Sequence, residues 1–301
     1  MPIPEFQLET WSHQGAVATS STTYQSIQHA LAAEASPVRG MNYEVYLQGS
    51  YKNDTNIRGD SDVDVMVQLK ATFGYNLSGL SYEQKAAFER AYPTNATYQW
   101  AHFRTDVLRA LRNYYGNSAI TEGNKSLKLA SASGRLAADI IPAIHFRKYL
   151  CFYGVQSEHH VDGIEFWSRN DGRQVINFPK LHYDNGVLKH SAAKTNGWYK
   201  PAVRMFKNAR TYLVDQARIS DDLAPSYFLE GLLYNVPDAK FGGTFEDTFV
   251  EVFNWLWAEA QAASLVCQNG QLPLFGPAAE QWSLVKAHQF LTELGQLWKN
   301  W

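Results

Sequence analysis

Two carboxylates one residue apart, Asp62 and Asp64, lie in the segment LQGSYKNDTNIRGDSDVDVMVQL, Leu47 to Leu69. From Asp62 to Leu69 polar and apolar residues alternate, which reads as a strand. Side chains on a strand alternate faces, so Val63, Val65, Val67 and Leu69 form an apolar face, while Asp62, Asp64, Met66 and Gln68 share the other. Two like charges side by side on a strand with a buried back repel each other unless a cation lies between them. Hard divalent cations such as Mg²⁺ take such oxygen ligands and complete their shell with water and substrate phosphates. A calcium loop fits less well, because the segment lacks the glycine and the distal glutamate of that pattern.

Gly49-Ser50 precedes this strand. A Gly-Ser turn lets backbone N–H groups approach an anion closely, and the serine hydroxyl adds a donor. A third carboxylate, Asp139 in AADIIPAI, stands in an otherwise apolar strand candidate, where a charge is costly unless paired or metal-bound. With three carboxylates two metal ions can be held, one activating an attacking ribose hydroxyl and the other stabilising a leaving pyrophosphate. An isolated Asp-x-Asp is usually a solvated turn, and a lone Gly-Ser carries no information. The combination of anion cradle, paired aspartates and distant third aspartate points to phosphoryl transfer.

These residues need a scaffold, and the chain has the means to build one. Its 301 residues are 45% hydrophobic, 19% charged and 14% aromatic, enough for a sizeable core and unlike a disordered chain. The formal net charge of -2 excludes a basic, sequence-independent nucleic-acid binder, but leaves room for a local basic patch facing a small anion. Cys151 and Cys267 are far apart and in no metal-ligand spacing, so neither a disulfide framework nor a cysteine zinc site is expected. Met1 is followed by PIPEFQLETW, without the basic start and apolar stretch of a signal peptide, and no apolar run reaches the ~20 residues that span a bilayer. A cytoplasmic protein with no membrane association is the expectation.

Along the chain, Trp11 to Glu34 is helix-compatible, Glu44 to Gln48 reads as a strand, and Gly49 to Ser61 as a polar loop. Tyr82 to Ala91 and Trp100 to Tyr115 read as helices, Leu127 to Ala132 and Ala137 to Phe146 as strands. Tyr153 to Trp198 looks irregular. Beyond it Trp198 to Gln216, Pro225 to Tyr234, Thr244 to Ala263 and Gln281 to Trp298 read as helices. The expected fold class is therefore α+β, a mixed lobe of strands and helices packed against a C-terminal helical lobe. Residues 1–197 would form the core lobe, including the N-terminal helix, and 198–301 the helical lobe of one bilobed unit.

Gly49-Ser50, then eleven residues, then Asp62-Val63-Asp64-Val65, with Asp139 later, resembles the signature of the DNA polymerase β-like nucleotidyltransferase superfamily. The fuller text GSYKNDTNIRGDSDVDVMVQL is more similar to the bacterial cGAS/DncV-like nucleotidyltransferases (CD-NTases), most of all to clade E, the CdnE group. The likeness extends to PIPEFQLETWSHQGA, INFPKLHYDNG, WYKPAVRMFKNARTYL and LAPSYFLEGLLYNVPDAKFGGTF. The resemblance implies a two-lobed fold with the active site in the cleft between the lobes, and Asp62, Asp64 and Asp139 as the metal triad for two Mg²⁺ ions, with Mn²⁺ as a substitute. It implies nucleoside triphosphates, UTP and ATP, as substrates, and a cyclic dinucleotide product that acts on a separate effector protein in anti-phage signalling (CBASS). Cyclic UMP–AMP or another pyrimidine-containing dinucleotide is the expected product. No stable nucleic-acid partner is implied, since the zinc insertion of the animal DNA sensor is missing, and a monomer suffices.

Further site residues follow from the same resemblance. Lys200, Arg204 and Lys207 share a helical stripe beside Val203, Phe206, Arg210 and Leu213. Spacing alone reads the cations as a solvated basic face; the resemblance puts Lys207 on the donor triphosphate. Pro225 opens a helix, leaving Ser226 in a first turn whose free N–H groups favour phosphate, with simple capping as the bland alternative. The resemblance makes Ser226 a phosphate contact and Tyr227 a stacking surface for a base. It links Asn177 with acceptance of a pyrimidine; a carboxamide offers one donor and one acceptor edge, which suits uracil or adenine, while a turn asparagine bonding its own backbone is the plain reading. The histidines, including His159, His160 and His182, show no partner at metal-ligand spacing. The tryptophans Trp255, Trp257, Trp282, Trp298 and Trp301 read as core of the helical lobe. Two other functions remain open to this sequence: a template-free transferase acting on an RNA end, a protein or a small molecule, and a nucleotide-binding regulator without catalysis.

Overall fold

The computed structural model describes residues 1–15, 18–57, 62–259, 264–278 and 281–301. In chain order the first elements are α1 (Glu5–Ser12), α2 (Ala18–Ala32), β1 (Tyr43–Leu47), α3 (Gly49–Asn53), β2 (Val63–Asn76), α4 (Tyr82–Ala91) and α5 (Trp100–Tyr115). Then come β3 (Ile120–Glu122), β4 (Leu127–Leu129), β5 (Ala138–Gly154), β6 (Ser157–Trp167) and β7 (Gln174–Asn177). The last are α6 (Pro179–His190), α7 (Tyr199–Asp215), α8 (Ser226–Tyr234), α9 (Phe245–Glu259) and α10 (Leu284–Lys299).

The described chain divides into two compact units, and the division is not the expected one at residue 198. One unit holds residues 18–48 and 62–178; the other holds 1–17, 49–61 and 179–301. The N-terminal helix α1 leaves the sheet because its apolar residues Leu8 and Trp11 join the helical core, where α1 lies against α7 and α9.

The first unit is a mixed sheet of seven strands, ordered β1-β2-β5-β4-β3, with β6 on β5 and β7 on β6. Every pairing is antiparallel except β2 with β5, which is parallel. The alternation from Val63 onward does what the sequence implies on one face, where Val63, Val65 and Val67 are fully buried. The opposite face is covered too from Met66 on, as Met66 and Gln68 are also buried, so Asp64 stands at the edge of the covered region. Helix α5 supplies an apolar stripe of Phe103, Val107, Leu108 and Leu111 at helical spacing.

The second unit is helical. Helix α7 buries Tyr199, Ala202, Val203, Met205, Phe206, Ala209 and Leu213 at its centre, each large apolar side chain contributing about 1.5–3 kcal/mol by removal from water. Trp282 is buried in this core, and Trp255, Trp298 and Trp301 pack against the core partly buried, as the sequence implies. Trp257 departs from that expectation, being 47% exposed on the outer face of α9.

Three stretches differ from the sequence reading. The segment Tyr153–Trp198, expected to be irregular, contains β6, β7 and α6. The polar loop after Gly49 begins as the short helix α3, and residues 58–61 of it lie outside those described. The single helix expected from Trp11 to Glu34 is two, α1 and α2, with residues 16–17 between them outside the described set; so are 260–263, the expected end of α9.

Candidate active site

On the sheet, the parallel pairing of β2 with β5 sets Asp64 opposite Asp139, flanked by the apolar pairs Val63–Ala138 and Val65–Ile140. Partners in register on neighbouring strands point to the same face. Residues 75 apart in sequence are thereby adjacent in space, both half-buried. Asp62 precedes β2 and is exposed, yet its carboxyl is raised above the ordinary range by burial and by the negative charge of Asp139, with Lys128 pulling the other way. Lys128 stands across from Asp139 on β4. The Ser126 hydroxyl donates to Asp139 Oδ1 at 2.8 Å, which fixes that carboxylate's orientation. Ser126 and Lys128 carried no signal in the sequence, since their role comes from the β4–β5 pairing.

Three oxygen donors with no nitrogen or sulfur among them fit a hard divalent cation. Among the described residues, however, the group of three ligand-type side chains whose ligand atoms lie within 4.8 Å of one another is His145, His160 and Asp162, not the aspartate triad. That corrects the expectation that the histidines lack metal-ligand partners. His182 is paired as well, its Nε2 lying 2.7 Å from Glu230 Oε2.

In the helical unit the basic stripe of α7 is not a solvated face. Lys200 and Lys207 are 7% and 4% exposed. Lys200 Nζ meets Asp54 Oδ2 at 2.7 Å, Arg204 donates to the Asp54 carbonyl at 2.6 Å and also to the Ser12 carbonyl, and Lys207 Nζ donates to the Thr55 carbonyl at 2.8 Å. Carbonyls past the end of a helix lack intrahelical partners, and cations there are favoured by the helix dipole as well. The stripe thus fastens the chain leaving α3, where Asp54 adopts a left-handed backbone (φ 56°).

Beneath it lies a residue the sequence reading missed. Glu230 is buried and accepts from Asn53 Nδ2 (3.0 Å), Thr55 Oγ1 (2.5 Å) and His182 Nε2, with Lys207 Nζ at 3.7 Å. Burial alone would raise its pKa; the His182 hydrogen bond, the Lys207 charge and the Thr55 hydroxyl outweigh it and hold the carboxyl at about 2. A carboxylate that stays ionised accepts only, so His182 presents its N–H from Nε2.

Ser50, Lys207 and Ser226 line one pocket of the helical unit, together with Arg210, Asp215 and Asp221. Gly49 opens α3 with φ 65°, a conformation that suits glycine. Pro225 is the N-cap of α8 and makes no side-chain capping bond, so Ser226 is the first helical residue and is exposed. Arg210 is committed to Asp221, bonding its carbonyl and, at 2.9 Å, its carboxylate. Tyr227 is stacked on His182 with ring centroids 5.1 Å apart, and its hydroxyl accepts from Asn269. Asn177 ends β7 in the sheet unit, where its Oδ1 accepts the Phe178 N–H at 2.8 Å, the local bond of the plain reading.

No helix among the described residues is long and apolar enough to cross a membrane.

Residues 184–299 match the profile of the cGAS/DncV-like nucleotidyltransferase C-terminal helical domain. The chain is 51% identical over 301 residues to the cyclic UMP-AMP synthase of Rhodothermus marinus (strain SG0.5JP17-172), covering 100% of this chain and 99% of that protein. It is 38% identical over 305 residues to cyclic nucleotide synthase CdnE01 of Staphylococcus haemolyticus, covering both chains fully at 100%. Among solved structures, Rhodothermus marinus CdnE c-UMP-AMP synthase with Apcpp and Upnpp matches at a TM-score of 0.87 and 51% identity, over 100% of this chain and 98% of that one.

Proposed function

The chain belongs to the cGAS/DncV-like nucleotidyltransferases of the CdnE type, and from that membership we propose that it joins UTP and ATP into cyclic UMP–AMP with release of pyrophosphate. The observation that carries this reading is the in-register pairing of Asp64 with Asp139, supported by full-length similarity to a synthase of that name.

Asp62, Asp64 and Asp139 are the residues that would hold divalent cations. When bound, Mg²⁺ ions supply charge neutralisation at the reacting phosphate and acidify the attacking hydroxyl. The protein's own contribution is orientation. Ser126 holds one oxygen of Asp139, and the β2–β5 register keeps the two strand carboxylates adjacent. Lys207, Ser226 and the Gly49-Ser50 backbone bind the triphosphate of the donor nucleotide, a role suited to a pocket that combines an ammonium, hydroxyls and a helix start. The ribose hydroxyl of the acceptor displaces pyrophosphate from the donor α-phosphate, forming one phosphodiester. The linear intermediate then turns over, and its free hydroxyl displaces the second pyrophosphate to close the ring. Asn177 selects the pyrimidine and Tyr227 stacks on a base.

The product leaves to activate a separate effector in anti-phage signalling, and the enzyme works as a cytoplasmic monomer with two ions per site, Mn²⁺ replacing Mg²⁺. The test is an assay with α-labelled UTP or ATP, each supplied alone and with the other. Label in a phosphatase-resistant product that needs both nucleotides supports the assignment. A labelled polymer, protein or small molecule would identify instead a template-free transferase, and binding without pyrophosphate release a regulator.

A further inference from the structure

The grouping of His145, His160 and Asp162 lies on the β5–β6 pair, apart from the aspartates in sequence and different in chemistry. Antiparallel pairing sets Asp162 across from Arg147 and His160 across from Tyr149, so the two imidazoles and the carboxylate meet on one face. His145 Nε2 is 2.6 Å from Asp162 Oδ1 and His160 Nε2 is 3.2 Å from the same oxygen. His145 is buried, His160 half-buried, and the Asp162 side chain 62% exposed.

We propose that His145 Nε2, His160 Nε2 and Asp162 Oδ1 form a binding site for a borderline divalent cation of the Zn²⁺ class, clamping β5 to β6. Tetrahedral coordination at about 2.0–2.1 Å sets ligand atoms about 3.3 Å apart. The His160–Asp162 separation already matches. The His145–Asp162 contact must widen by under about 1 Å, which rotation of the exposed Asp162 carboxylate accommodates.

A further observation favours a cation over a plain hydrogen bond. His160 Nδ1 is buried with no hydrogen-bond partner, and the Glu158 carboxylate lies 3.7 Å from it. A metal-bound imidazole presents its other N–H towards a carboxylate in this way.

Charges nearby select the ion. Arg147, which bonds Glu158 and Tyr149 and lies over the Phe73 ring, and Lys70 offset the carboxylates Glu158 and Asp162. With the site near neutral, a hard cation held by charge alone gains little there. Nitrogen coordination must supply the affinity, which favours Zn²⁺ over Mg²⁺.

The experiment is equilibrium dialysis of the full chain against Zn²⁺ in excess Mg²⁺, with thermal unfolding of each sample. One Zn²⁺ per chain is expected in the wild type and in Asp64→Asn, with a rise in Tm on binding. His160→Gln and Asp162→Asn, the second at an exposed position that leaves folding intact, should each weaken binding about 100-fold. Failure of the wild type to retain Zn²⁺, wild-type affinity in His160→Gln or Asp162→Asn, or loss of binding in Asp64→Asn would each overturn the site. None of these outcomes bears on cyclic dinucleotide synthesis.

Discussion

Asp64 on β2 and Asp139 on β5 are direct partners across the one parallel pairing of the described sheet. Parallel register places their side chains on one face. Like charges on neighbouring strands repel, and a bound cation or a donor such as the Ser126 hydroxyl on Asp139 relieves that repulsion. Asp64→Asn and Asp139→Asn should therefore each lower synthesis by about 10³-fold or more. Neither should lower Tm, since each removes like-charge repulsion. Initial rates and thermal unfolding of the same preparations check both halves, and a variant that keeps wild-type rates contradicts the metal assignment.

Removing divalent ions tests the same face without mutation. Dialysis against a chelator should abolish pyrophosphate release, and Mg²⁺ or Mn²⁺ should restore it. Circular dichroism should stay unchanged throughout, because the sheet holding the three aspartates is built from its own apolar core.

Glu230 joins stability to pH. Its folded pKa, about 2, lies below the ordinary glutamate value, so the stability it contributes is present above about pH 4.5 and is lost as pH falls towards 2. Glu230→Gln should flatten the acid limb of a Tm-against-pH curve. At neutral pH it should cost about 3–5 kcal/mol, because Lys207 and His182 lose their shared buried partner. An acid limb with wild-type slope would show that Glu230 is not the group titrating.

Lys207 has two jobs, and a double variant separates them. Lys207→Met should raise the KM for nucleotide and also destabilise, by leaving Glu230 without its cation. Adding Glu230→Gln should return much of the stability, since neutralising both members of a buried pair costs less than breaking it. Activity should stay low in the double variant. Recovery of both together would mean that Lys207 acts only through the fold.

Asn177→Ala should shift product composition away from uracil by about tenfold, the scale of one lost base-edge hydrogen-bond pair. Competition between UTP and ATP, read by mass spectrometry, measures it. Because Oδ1 already accepts the Phe178 N–H, an unchanged ratio with a lower Tm would assign Asn177 to the turn alone.

Much of this was legible in the sequence where apolar spacing is strong. Helices α4 and α5 begin and end at the residues the pattern marks, while β2 starts at Val63, one residue into the alternation, and runs on past Leu69 to Asn76. The stretch from Tyr153 was not legible, for physical reasons. Strand β6 opens with Ser-Glu-His-His, half-solvated on both faces, so period two is hidden until Gly163. Helix α6 buries His182 and Gly186 rather than an apolar stripe, so it shows no 3.6-residue hydrophobic repeat.

The motif marks Asp62, Asp64 and Asp139 in the sequence, and the β2–β5 register sets Asp64 opposite Asp139, while the residues around them carried no signal. Ser126 and Lys128 acquire meaning only through the β4–β5 register, and His145 meets His160 only through the β5–β6 hairpin. The basic stripe of α7 looked solvated because spacing reveals which side chains align, not that Asp54 and Thr55 would come to meet them.

The most direct test of the central claim is to incubate the purified chain with all four nucleoside triphosphates and Mg²⁺, digest with phosphatase, and determine product mass and base content. The account predicts a phosphatase-resistant cyclic dinucleotide containing uracil and adenine, absent with Asp64→Asn. Pyrophosphate release that yields only phosphatase-sensitive linear products, or a resistant product without uracil, would contradict it.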